Sequence, residues 1–82
     1  MTDKILFVDD EPAVLDAYKR LLHREFDVNT ALGGEEALLA IHEHGPYAVV
    51  ISDMRMPGMN GAQLLAQVCR TAPDTIRMLL TG

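Results

Sequence analysis

Three aspartates stand where two apolar runs of the sequence end. Residues 4–8 are followed by Asp9 and Asp10, and residues 48–52 are followed by Asp53. If both runs form parallel strands, the three carboxylates crowd the carboxyl edge of one sheet, where open α/β sheets bind their ligands. Because like charges repel one another, such a cluster needs a cation or a shared proton. This spacing is the strongest indication of chemistry in the chain.

The composition limits what the chain can be. Its 82 residues allow one small domain, and a hydrophobic fraction of 49% is ample for a globular core. A net charge of −5 argues against a nucleic-acid surface. The single cysteine cannot form an internal disulfide, which favours a reducing, cytoplasmic setting. The first residues do not resemble a signal peptide, and no apolar run approaches the roughly 20 residues that cross a bilayer.

Strand and helix patterns alternate along the chain. The apolar runs and turn residues predict strands over residues 5–8, 26–30, 47–52 and 76–80, and helices over residues 12–25, 35–44 and 62–71. Strands separated by helices must be parallel, with right-handed crossovers. The order is therefore β-α-β-α-β-α-β, and it gathers Asp10, Asp53 and Thr81 at one edge. By composition we expect the third strand to be the most buried, and we expect Leu21 and Cys69 to face the core.

Three segments carry a resemblance to a known family. They are residues 8–12 (VDDEP), residues 52–61 (SDMRMPGMNG) and residues 79–82 (LLTG). Together they resemble the receiver domain of bacterial two-component response regulators, and the resemblance covers the whole chain. It implies an α/β fold of the flavodoxin-like type. It also implies a phosphoacceptor signalling domain rather than an enzyme.

The resemblance implies a role for each acidic residue. Asp53 looks like the residue that takes a phosphoryl group from the phosphohistidine of a sensor histidine kinase or a phosphotransfer protein. Asp10 looks like a direct Mg²⁺ ligand and Asp9 like one that acts largely through water, while Asp53 and the backbone carbonyl of Arg55 complete the protein's ligands. Mg²⁺ prefers about six oxygen ligands and keeps several waters, so a few carboxylates suffice. Asp53 needs no activating base, because a carboxyl group is already ionised near neutral pH.

The resemblance also implies the groups that hold the phosphoryl oxygens. Thr81 looks like the hydroxyl that shifts toward them, and the backbone amides of Met54 and Gly82 look like further donors. The lysine that the family places after a fifth strand has no counterpart here, because Lys4 and Lys19 lie elsewhere in the pattern. Residues 1–82 are therefore interpreted as an incomplete, amino-terminal receiver domain, truncated after strand 4, without the last helix-strand-helix portion and without an output domain.

Several other interpretations remain open. A phosphorylation-incompetent receiver fragment could act only as a binding or self-association module, through the unpaired edge of the fourth strand. The acidic residues at positions 9–11 could merely cap the first helix. A phosphohydrolase is disfavoured, because its Asp-x-Asp signature is missing. His42 and His44 flank Glu43 near a helix end, where solvated residues are far commoner than a metal site.

Overall fold

The computed structural model describes residues 4–81 and shows four strands alternating with three helices. The elements are β1 (Lys4–Asp9), α1 (Pro12–Leu22), β2 (Asp27–Leu32), α2 (Gly34–His44), β3 (Val49–Asp53), α3 (Gly61–Thr71) and β4 (Ile76–Leu80). The strands form one sheet in the order β2-β1-β3-β4, and every neighbouring pair is parallel. The flavodoxin-like α/β fold and the element order predicted from the sequence are confirmed.

The sheet register brings the ends of the strands to one edge. Ile5 of β1 lies opposite Val28 of β2 and Val49 of β3, so all three strands run level. Asp53, the last residue of β3, lies opposite Leu80, the last residue of β4. Each crossover helix returns the chain to the opposite edge, and the loops after β1, β3 and β4 therefore meet at the carboxyl edge.

Two hydrophobic clusters, one on each face of the sheet, hold the helices in place. Side chains alternate between faces along a strand, so Leu6 and Val8 of β1 enter one cluster while Ile5 and Phe7 enter the other. The first cluster packs under α2 and α3, and the second packs under α1. Phe7 stacks on a tyrosine of α1, Tyr18, with ring centroids 4.5 Å apart. The most buried strand is consequently β1, which is covered on both faces.

The expectation that the third strand is the most buried is wrong. Residues 5–8 of β1 are all buried, whereas Val49 and Ile51 of β3 are only partly buried. The reason is the position of α1, which packs on β1 and β2 and leaves the same face of β3 partly open.

Two residues predicted to face the core are exposed. Leu21, near the end of α1, exposes 75% of its surface. Cys69 is exposed in α3, while Leu64 and Val68 are fully buried. Leu64 and Val68 are four residues apart and share a helix face, and the residue after Val68 is turned away from it. Sequence spacing alone therefore predicted a wider buried face for α1 and α3 than the structure shows.

The outer edge of β4 carries apolar side chains. All five residues of β4 are exposed, and Ile76 exposes 61% of its surface. Within the described residues, β4 pairs only with β3. No helix in this part of the chain is both long and apolar enough to cross a membrane.

Candidate functional site

The carboxyl edge of the sheet brings the three aspartates together. Asp9 is the last residue of β1, Asp10 follows it, and Asp53 is the last residue of β3. One carboxylate oxygen from each lies within 4.8 Å of the others. Asp9 and Asp53 are half-buried and Asp10 is exposed. The fold thus concentrates three negative charges in a space that a single cation can span.

The pKa of Asp9 depends on its burial and on the groups next to it. Burial is the main cause that raises the pKa of Asp9, and the charges of Asp53 and Asp10 raise it further. A hydrogen bond acts in the opposite direction, because the Glu11 N–H donates to Asp9 Oδ1 at 3.0 Å. Burial and the neighbouring carboxylates therefore disfavour the charged form of Asp9, and a bound cation would favour it.

Capping of α1 does not account for these acidic residues. The residue at the N-cap position is Glu11, and its side chain forms no capping hydrogen bond. The hydrogen bond of Asp9 is to the Glu11 amide, ahead of the first helical residue, Pro12. No acidic side chain at positions 9–11 therefore caps the N-terminus of α1, and these carboxylates are available to bind a cation.

The backbone at the end of β3 is held on both sides. The Met54 N–H donates to the Leu80 carbonyl at 3.1 Å, and the Gly61 N–H donates to the Met54 carbonyl at 3.0 Å. A Cβ atom on Gly61 would lie only 2.3 Å from the backbone oxygen of Asp53, so α3 begins in direct contact with the strand end. These contacts fix the backbone that carries Asp53.

The Met54 amide forms a backbone hydrogen bond in this structure. The resemblance implied that this amide donates to a phosphoryl group, and in the structure it donates to the Leu80 carbonyl at the end of the β3–β4 ladder. The hydrogen bonding between β3 and β4 continues one residue past Asp53 and involves the Met54 N–H. The sequence motif does not indicate this hydrogen bond. The other amide predicted for that role, Gly82, lies outside the described residues.

A cleft of about 490 Å³ opens over the aspartates. It is lined by six residues, namely Asp10, Glu11, Asp53, Met54, Arg55 and Thr81. Thr81, which follows β4, is thereby brought to the same cleft as Asp53, although 28 positions separate them in the sequence. The sequence interpretation did not single out Glu11 as a lining residue, and it considered only the backbone carbonyl of Arg55. Their nearness to the aspartates in the sequence was the available signal.

The donor set of the trio fits Mg²⁺. Carboxylate oxygens are the hard ligands that this ion prefers, and ligands at opposite corners of its octahedron are roughly 4.2 Å apart. The spread of up to 4.8 Å among the three oxygens is close to that span, and a ligand that acts through water tolerates a longer separation. In residues 4–81, no group of three metal-ligating side chains includes His42 or His44.

Comparison with known families decides the identity of the fold. The model of the response regulator receiver domain matches residues 5–82. The chain belongs to this family. The receiver is also similar to the hydrogenase transcriptional regulatory protein HoxA of Cupriavidus necator, with 38% identity over all of this chain and 17% of HoxA. The receiver thus spans less than a fifth of that regulator's length.

Solved structures agree with the assignment. A Rhodopirellula baltica structure described as adenylate cyclase has a TM-score of 0.96 and 38% identity, covering 100% of this chain and 61% of that one. The response regulator TrrA of Thermotoga maritima, solved in complex with Mg(2+)-BeF, has a TM-score of 0.86 and 36% identity, covering 99% of this chain and 70% of TrrA. TrrA has also been solved in complex with the histidine kinase ThkA, with a TM-score of 0.84, 36% identity and coverage of 100% and 70%.

Proposed function

We propose that this receiver domain accepts a phosphoryl group on Asp53 in a Mg²⁺-dependent reaction and thereby switches a protein-interaction surface. The donor is the phosphohistidine of a sensor histidine kinase or a phosphotransfer protein. The supporting observation is the convergence of three carboxylate oxygens within 4.8 Å, in a cleft that also includes Thr81. The complexes of TrrA with Mg(2+)-BeF and with ThkA support the same donor and cofactor. We further propose a cytoplasmic setting, which is consistent with the exposed free thiol of Cys69.

The transfer requires few protein groups. A carboxylate oxygen of Asp53 attacks phosphorus in line, the new P–O bond forms, and the P–N bond to the donor histidine breaks. The electron pair of that bond leaves with the imidazole nitrogen. A bound Mg²⁺ would be held by Asp10, by Asp53, by the Arg55 carbonyl and, through water, by Asp9, and it supplies charge neutralisation for such a displacement.

Thr81 provides the response to the new group. A phosphoryl group brings strong acceptor oxygens and added negative charge, to which a nearby hydroxyl can donate. Thr81 directly follows β4, so movement of its hydroxyl toward Asp53 displaces the end of that strand. The output is a change in the surface around β4, which other parts of a regulator can detect.

Phosphorylation by a small donor tests the proposal. The chain is incubated with Mg²⁺ and acetyl phosphate, and intact mass reports the addition of one phosphoryl group. We expect modification of the wild type and none of Asp53→Asn. The matched control is Asp74→Asn, which removes an exposed carboxylate from the turn before β4 and leaves the cleft unchanged.

Two results would contradict the proposal. One is an equal degree of modification in Asp53→Asn and wild type, and the other is a reaction that is unaffected when EDTA removes the metal. A wild type that binds a histidine kinase but never becomes phosphorylated would favour the binding-module interpretation instead. The same assay on a chain extended through a fifth strand would then show whether a lysine from that strand is required.

We also propose that copies of this chain associate through the β4 edge. The edge presents exposed apolar side chains, and an unpaired apolar strand favours pairing with another strand. Sedimentation velocity across a concentration series should show dimers or larger species. The variant Ile76→Lys should remain monomeric, whereas Leu21→Lys, which changes the exposed outer face of α1, should associate like the wild type. A monomeric wild type at the highest concentration refutes this proposal.

A further inference from the structure

The cleft over the aspartates contains one cationic residue among its lining. Three of its six lining residues, Asp10, Glu11 and Asp53, are acidic, and Arg55 is the one base among them. Asp9 adds a fourth carboxylate beside the same cleft. A guanidinium in such surroundings is expected to pair with a carboxylate unless another anion is its partner.

The Arg55 side chain forms no such pair within the structure. Arg55 is exposed, and no hydrogen bond or ion pair links its guanidinium to another residue of the described chain. Its backbone position is nonetheless well fixed, because Met54 beside it is hydrogen-bonded to both Leu80 and Gly61. The guanidinium of Arg55 is thus exposed and has no partner among the described residues, while the backbone that carries it, two residues beyond Asp53, follows a hydrogen-bonded residue.

The charges of the cleft create a need for this cation. When ionised, the aspartate trio carries three negative charges and Glu11 carries a fourth. A bound Mg²⁺ neutralises two of them, so the cleft remains negative toward an anionic phosphoryl donor. Arg55 is placed to lower this repulsion, and its planar guanidinium matches two phosphoryl oxygens at once.

We propose that the Arg55 guanidinium binds the phosphoryl group of the incoming donor, in addition to any role of its backbone carbonyl. The inference rests on the proposed phosphorylation of Asp53. The proposal also predicts the opposite effect on Mg²⁺ binding. Because the same positive charge repels Mg²⁺, Arg55 weakens metal binding while it strengthens binding of the donor.

Charge-removing variants test both consequences. In Arg55→Gln, we expect the acetyl phosphate concentration for half-maximal phosphorylation rate to rise about threefold to tenfold, as for loss of a charge-assisted contact at an exposed site. In the same variant, Mg²⁺ affinity measured by calorimetry without donor should increase about twofold at low ionic strength. Arg55→Lys should keep the wild-type Mg²⁺ affinity but recover only part of the donor binding, because an ammonium lacks the bidentate geometry.

A matched control and the salt dependence sharpen the comparison. Arg70→Gln removes an exposed arginine from the last turn of α3, away from this cleft, and both measurements should stay at wild-type values. The difference between wild type and Arg55→Gln should shrink as salt is added, since exposed charges are screened within about 10 Å at 0.1 M.

The outcomes separate this inference from the proposed function. If wild type and Arg55→Gln are phosphorylated with the same half-maximal donor concentration, the Arg55 proposal is wrong while Asp53 remains the acceptor. If no variant and no wild type is phosphorylated, the proposed function fails for this chain. The Mg²⁺ titration still decides the role of Arg55 in that case, because an unchanged metal affinity in Arg55→Gln overturns it.

Discussion

The contact between Gly61 and Asp53 ties the stability of the fold to the geometry of the site. Gly61 is the first residue of α3, and a Cβ atom there would lie 2.3 Å from the Asp53 backbone oxygen and 2.7 Å from Leu79 Cδ1. An ordinary contact between these atoms is roughly 1 Å longer, so the Gly61→Ala variant must push α3 away from the end of β3. The obstacle is backbone, which a side-chain rotation cannot relieve.

We expect Gly61→Ala to destabilise the domain by about 1–3 kcal/mol, the usual cost of forcing an extra carbon into a packed region. For a domain of this size each kcal/mol lowers the melting temperature by about 4–8 °C. Because the displaced oxygen belongs to Asp53, phosphorylation at saturating donor should slow as well. Urea unfolding measures the first effect, and intact mass against time measures the second.

Gly34→Ala is the matched control. Gly34 is likewise the buried first residue of an 11-residue helix, but the nearest atom to its added Cβ is the Met59 sulfur, at 2.7 Å. The methionine sulfur can rotate away, although Met59 Cβ at 3.0 Å can give only slightly, so this variant should lose about 1 kcal/mol or less, and less than Gly61→Ala. Gly61→Ala proteins as stable and as quickly phosphorylated as Gly34→Ala proteins would refute the reasoning.

Two further predictions concern the elements that support the site. Asn60→Ala should lower the free energy of unfolding, measured in urea, by about 1 kcal/mol, because Asn60 Oδ1 accepts the Gln63 N–H at 2.8 Å and caps α3. Asn60→Asp keeps an acceptor and should lose much less stability. An equal loss in both variants would contradict a capping role. Burial, and to a lesser degree the charge of Asp27, raises the pKa of Tyr47 above its ordinary value of 10.0. The folded protein therefore binds the phenolic proton more tightly than the unfolded chain, and this part of the stability is complete below pH 10.0 and is lost as the pH rises through the raised pKa. Tyr47→Phe lacks this loss, so its unfolding free energy should fall less steeply above pH 10.0 than that of wild type, and parallel pH profiles would exclude the effect.

Much of the fold could be predicted because strands and helices of this chain have distinct periods. The continuous apolar run of residues 5–8 predicts a strand covered on both faces, and the structure confirms it. The ends of the strands and helices were predicted less accurately than their existence. The third strand begins at Val49 rather than at residue 47. Tyr47 is buried there, but its backbone carbonyl accepts a hydrogen bond from the Thr75 side chain rather than from a strand N–H, and its hydroxyl donates to Asn29 Oδ1 of β2.

The faces of the helices were predicted less well than their positions. Leu21 and Cys69 have apolar side chains, yet both lie outside the contact surfaces of their helices. How wide a helix's buried stripe becomes depends on the elements packed against it, and sequence spacing does not contain that information. The same limit explains why β1, under two layers of helices, is more buried than β3.

The sequence by itself determined the acidic chemistry of this protein. Two apolar runs that end in Asp9, Asp10 and Asp53, within an alternating order of strands and helices, require parallel strands whose carboxyl ends meet. Only the tertiary structure decided which other groups lie beside the three aspartates. It placed Thr81 and Arg55 in the same cleft, used the Met54 amide for strand pairing, and pressed Gly61 against Asp53. Distances of this kind arise from packing between segments far apart in the chain, which no local pattern of residues records.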